Sequence, residues 1–174
     1  MKPLEEIAAT IESMPEVLRV LLAPLDHSAL RVRPAAGEWC VLEVIGHLLT
    51  TEGPAFRERV RVIVGGAAQM PVIDVSLEAT GRDFASEDLA DLLDELARER
   101  AESGAFLRSL DPSDLERESE LPPHGTFAAG DFVHEWPFHD QDHLQQMLAA
   151  IKPAYLSHMG DAMRSALAPE PDGS

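Results

Sequence analysis

Along most of this chain apolar residues recur every three or four positions, and a chain with that rhythm folds into packed helices rather than sheets. Leu4, Ile7, Ala8, Ile11, Met14, Leu18, Leu21 and Leu22 set out a first helix over 4–22, which Pro15 is expected to bend or break. A loop at 31–37, punctuated by Pro34 and Gly37, leads into a second run that starts near Cys40. That run continues through Phe56, Val60, Val62 and Ile63 and stops at Gly65-Gly66. Gly53-Pro54 falls inside it, so a kink is expected just after the turn that carries His47.

Residues 65–85 show no helical period. A connection of that length is uncommon in a compact domain; it serves to fold over the surface, to cover a pocket, or to carry the chain across the end of a bundle. Ser86-Glu87-Asp88 then caps a third helix with the stripe Leu89, Leu92, Leu93, Leu96, Phe106, Leu107, Leu110, ending at Asp111-Pro112. The acidic residues crowded between Asp74 and Glu120 read as a solvated helix face. After a loop at 121–126, a fourth helix is expected to begin between Thr126 and Asp131 and to run to Ile151, where Lys152-Pro153 ends it. A short helix around 154–167 is expected to pack outside, followed by a loose tail at 169–174. Four long helices with almost no strand signal predict an all-α four-helix bundle with a short extra C-terminal helix, forming a single domain over 1–168.

Composition narrows the function classes. A formal charge of −17 argues against nucleic acid and anionic membranes as partners, since both need a cationic face. Cys40 is the one cysteine, so no intrachain disulfide forms, which fits a reducing cytoplasm. Neither a secretory leader nor an apolar run of membrane-spanning length is present, and a cytoplasmic location is the expectation.

The chemistry concentrates in His139-Asp140-Gln141-Asp142-His143. Two histidines four apart on a helix share one face, so both imidazoles can reach a common point, as a metal ligand set requires. Two donors do not complete a site. His47, set among Ile45, Leu48 and Leu49, is the best third donor, although alone it reads as an ordinary core or boundary histidine. Asp140 and Asp142 lie about 100° to either side of the ligand stripe and are expected to face away or to reach only outer partners. Position 140 holds no glutamate, which excludes the His-Glu-x-x-His arrangement of metalloproteases. Glu43, one turn before His47, is a candidate for orienting that ring or acting as a base, with helix capping as its plainer role. Trp136 shares the ligand face as a candidate pocket wall or a core residue. Thr50 and Thr51 are placed to offer hydroxyls to a substrate or to bond back to helical carbonyls. His27, His124, His134 and His158 read as non-ligands.

The segment from Arg33-Pro34 through Gly37-Glu38-Trp39-Cys40 to Gly46-His47-Leu48 resembles the second-helix motif of the DinB family, which includes the YfiT-like proteins. His139-Asp140-Gln141-Asp142-His143 resembles the family's last-helix motif, with Leu110-Asp111-Pro112 and His124-Gly125-Thr126 between them. The resemblance implies a four-helix bundle holding a divalent metal, nickel or zinc, through His47, His139 and His143. It also implies either metal-dependent hydrolysis or transfer that uses a low-molecular-weight thiol, on a small-molecule substrate, and a homodimer. A non-catalytic metal-binding or stress-response protein acting through a partner is the alternative. Cys40 departs from the family's usual serine or threonine, and Gly53-Pro54 and Pro137 depart near the metal-bearing turns. Three neutral imidazoles would leave a coordination position open, as in catalytic zinc sites, for water or a thiolate.

Overall fold

The computed structural model describes residues 2–74, 76–77 and 80–167; the expected tail at 169–174 lies outside them. Its first helix, α1 (Leu4–Leu22), buries Ile7, Ala8, Ile11, Met14, Leu18 and Leu22, the stripe read from the sequence. Pro15 does not break it. The second rod is composite: α2 (Val41–Thr51), a π-helical turn (Glu52–Arg57) and α3 (Glu58–Val64). The expected kink takes this form because Pro54 has no N–H to donate, and a wider turn absorbs the lost bond. Glu43 accepts from the Cys40 amide at 2.9 Å and so caps α2. Asp88 caps α4 (Leu89–Arg108) by accepting from the amides of Ala90 and Asp91.

Two apolar clusters show how the rods run. One gathers the end of α1 (Leu18, Leu22), the start of α2 (Val41, Val44, Ile45) and the start of α4 (Leu92, Leu96). The other gathers the start of α1 (Ile7, Ile11), Val60 and Ile63 of α3, and Leu107 near the end of α4. α5 (Ala129–Leu156) enters the second cluster with Phe132, Val133 and Trp136 and leaves through the first with Met147 and Ile151. The rods therefore run up, down, down, up. Both middle rods point the same way, so the chain must return the length of the bundle between them, and residues 65–85 do this. Met70 sits in one cluster, Leu77 and Phe84 in the other. The crossover ends on α2, where Phe84 packs so closely on Gly46 that a Cβ there would lie 2.3 Å from the phenyl ring.

Three expectations need correction. The stretch around 121–126 is a hairpin rather than a plain loop, pairing β1 (Glu118–Leu121) with β2 (Gly125–Ala128) antiparallel. The strands are four residues each and offer Thr126 as their one β-branched side chain, too little to signal a hairpin, and Met70 N–H → Glu120 O at 2.8 Å ties β1 to the crossover. Lys152-Pro153 does not end α5, which continues to Leu156; Pro153 lies on the exposed side, where the carbonyl it leaves unpaired can turn to water. The last helix, α6 (Asp161–Leu167), is shorter than expected and buries none of its residues.

Candidate metal centre

Halfway along the bundle the apolar packing gives way to a polar layer. Thr51, Glu52, Arg100, Ser103 and Asp140 are buried there, between the two apolar clusters. On one side of this layer α2 and α5 face each other through His47, His139 and His143, all half-buried. The four-residue step on α5 sets His143 Nε2 3.1 Å from His139 Nε2. His47 reaches the same point from α2, its Nε2 3.3 Å from that of His139. One ligating atom from each ring lies within 4.8 Å of the other two, so the predicted side chains, ninety-odd positions apart in sequence, do meet.

The donors fit a metal ion. Nitrogens about 2.0–2.1 Å from a shared centre lie roughly 2.8–3.4 Å from one another in facial octahedral or tetrahedral arrangements, a range that holds two of the three pairs here, at 3.1 and 3.3 Å, while all three atoms lie within 4.8 Å. His143 Nδ1–H donates to Gln146 Oε1 at 2.8 Å, which leaves Nε2 as a lone-pair donor aimed into the cluster. Burial, and next the charge of His143, pushes His47 down to about 4. Burial, followed by His143, His47 and Arg100, pushes His139 down to about 3. Both rings are neutral at neutral pH, the form a metal requires.

Other predicted residues fall elsewhere. Glu43 is bound by the Arg33 guanidinium and the Cys40 amide, and it points away from a role as base. Thr51 Oγ1 donates to the His47 carbonyl at 2.9 Å, and Thr50 Oγ1 to that of Gly46 at 2.7 Å, so both hydroxyls serve the helix. Trp136 is fully buried, separated from the rings by Phe56, which stacks on it at 5.0 Å and meets His139 edge-on at 5.2 Å. Asp142 is exposed, as expected, and His134 Nδ1–H donates to the Gly130 carbonyl of its own helix. Asp140 takes the second of its two expected courses: rather than facing away, it is buried and reaches an outer partner, Arg100.

Sequence reasoning missed Trp39, whose ring lies 4.8 Å from that of His47 and 6.4 Å from that of His143. It also lines a cavity of about 150 Å³ with Glu43, Leu77, Arg82, Asp83 and Phe84, so the end of the crossover borders the histidine cluster through Trp39. Glu52 and Arg100 were missed as well. Both had a visible signal, since Arg100 continues the Leu92, Leu96 stripe and Glu52 the Ile45, Leu48 stripe, each putting a charge where the period calls for an apolar residue.

Comparison with known proteins agrees with this architecture. A candidate metal-dependent hydrolase of Oceanobacillus iheyensis is 24% identical over 152 residues, covering 82% of each chain. YfiT of Bacillus subtilis, described as a candidate metal-dependent hydrolase with an unusual four-helix bundle topology, superposes with a TM-score of 0.76 at 16% identity over 87% of each chain. The DinB superfamily model matches residues 10–147, which include all three histidines and both histidine-bearing motifs. The chain belongs to the DinB superfamily.

Proposed function

We propose that this protein holds one divalent metal ion, nickel or zinc, through His47, His139 and His143, and hydrolyses a small-molecule substrate there. The observation that carries the reading is the convergence of three imidazole nitrogens, with contacts of 3.1 and 3.3 Å, from two different rods. A divalent ion with three such ligands supplies Lewis acidity and a water-derived nucleophile at neutral pH. The chain's own residues orient and screen. Gln146 holds His143 in its donor tautomer, while Trp39 packs beside the His47 ring and Phe56 meets that of His139. The carboxylates of Glu43 and Asp140 are each held by an arginine, so neither is free to act as a base.

Hydrolysis is favoured over thiol-dependent transfer by the description of the Oceanobacillus relative as a candidate hydrolase. Cys40 supplies no nucleophile of its own, being buried, with its thiol pushed up by desolvation. The charge of −17 supports a small substrate over nucleic acid, and the exposed Val17 and Val20 on α1 offer the apolar surface of a homodimer. No helix among the described residues is long and apolar enough to cross a membrane, which agrees with a cytoplasmic enzyme.

Elemental analysis of untagged wild type beside His47→Ala tests the ligand set: the expected result is about one ion per wild-type chain and little in the variant, and equal contents would remove His47. Turnover of ester substrates, lost in His139→Ala and on chelation, is expected of a hydrolase. An ion-loaded wild type inert towards esters and thiol conjugates alike would favour the non-catalytic metal-binding alternative.

A further inference from the structure

The buried charges of the polar layer are the part of this fold that apolar packing does not explain. Glu52 lies five residues beyond His47 in the same rod, and Asp140 directly follows His139. Arg100 joins them from α4. Its Nη1 and Nη2 donate to Asp140 Oδ2 and Oδ1 at 2.9 and 2.6 Å, and its Nε stands 3.1 Å from Glu52 Oε2. The same Oε2 accepts from Trp136 Nε1–H at 2.9 Å, and Trp136 reaches His139 through the Phe56 ring. The three charged side chains are 1% exposed or less.

We propose that Glu52, Arg100 and Asp140 are positioning residues for the histidine cluster: from α4, Arg100 sets the rotation of the rod bearing His47 against that of α5, so that the three Nε2 atoms converge before an ion arrives. This rests on the reading of His47, His139 and His143 as metal ligands. The geometry is demanding enough to need such a device. A ring nitrogen about 6 Å from a helix axis moves roughly 1 Å when the helix turns by 10°, a shift comparable with the tolerance of a coordination sphere. Apolar side chains resist that rotation weakly, whereas a bidentate arginine–carboxylate fork is directional. Stability is a weak reason for the triad, because well-packed apolar residues in place of a buried ion cluster are often neutral or stabilising; fixing one arrangement of the rods is the role proposed for it. Two routes run from Arg100 to His139, one through Asp140 and the backbone, the other through Glu52, Trp136 and Phe56.

Competition for Zn²⁺ against a chromophoric chelator, on the untagged full chain, tests the proposal. The absorption spectrum of Co²⁺ bound in its place reports ligand geometry, and thermal unfolding of the metal-free chain is followed alongside. Asp140→Asn keeps the shape but removes the charge that Arg100 grips, and Glu52→Gln keeps an acceptor for Trp136. The expected result is a fall in Zn²⁺ affinity of about fivefold or more in each variant, with an altered Co²⁺ spectrum. A smaller fall with an unaltered spectrum, whatever the melting temperature, leaves the triad a purely structural element and overturns the proposal. If Asp140→Asn does not fold, Glu52→Gln and Trp136→Phe, which keeps a ring against Phe56, decide by the same criteria. A wild type that takes up no Zn²⁺ overturns the ligand assignment itself, an outcome distinct from a wild type that binds and variants that bind equally well.

Discussion

At Gly46, next to the proposed ligand His47, an added Cβ would come 2.3 Å from Phe84 Cγ and 2.6 Å from both of its ring neighbours. The phenyl ring is itself buried, so it has nowhere to retreat. Gly46→Ala is expected to cost about 1–3 kcal/mol in denaturant unfolding, and to loosen the end of the crossover from α2. Gly104 presents a closer intruder, Glu12 Oε1 at 1.9 Å, yet that atom is the tip of a flexible side chain near the surface. Gly104→Ala is therefore expected to be the milder of the two, and equal losses would contradict this ranking. Thr51→Val separates helix from site. Its hydroxyl bonds the His47 carbonyl, so the variant should lose about 1 kcal/mol of stability while keeping its full metal content by elemental analysis.

Among the elements, the start of α2 matters most to the site because it sets where His47 begins its climb. Glu43 caps that start, and the side-chain hydrogen bond from Arg33, the largest influence, holds its carboxyl at about 2 against an ordinary value of 4.5. The folded chain thus refuses a proton that the unfolded chain accepts. The contribution of this carboxylate is complete above pH 4.5 and is lost as the pH falls towards 2. Acid titration of stability is expected to be steeper between those limits in wild type than in Glu43→Gln, and parallel curves would count against the assignment. The π turn that follows has its own logic: one proline costs a backbone bond, and the widened turn buries Glu52 and Phe56 within the polar layer and against His139.

For the whole molecule, the proposed ion would bridge α2 and α5, adding a link to the packing, the His47–His139 contact and the Arg100 cluster already present between those rods. Metal binding to the folded form alone adds about 2.7 kcal/mol at a free ion concentration one hundred times the Kd. Scanning calorimetry is expected to show a higher Tm with Zn²⁺ or Ni²⁺, reversed by a chelator, and no such shift in His47→Ala. A similar shift in that variant would mean that the ion binds elsewhere. The up, down, down, up order also explains why residues 65–85 resist a helical reading, since an extended strap must run the length of the bundle to bring α4 in parallel to α2 and α3.

The spacing of apolar residues was enough to establish how many long rods form and which face of each turns inward, because helical period is a local property of the backbone. The four-residue step between His139 and His143 was legible for the same reason, and His47 stood out as an imidazole among aliphatic neighbours. Rod direction, the hairpin at 118–128 and the fate of Asp140, Glu52 and Arg100 were not legible. An amphipathic stripe faces a core without naming its neighbour or its sense, and a charge that interrupts the stripe, as Glu52 and Arg100 do, marks an anomaly without naming the partner forty or more positions away that is brought against it. Those pairings belong to the closed bundle, where removal from water makes each buried charge depend on the groups that surround it.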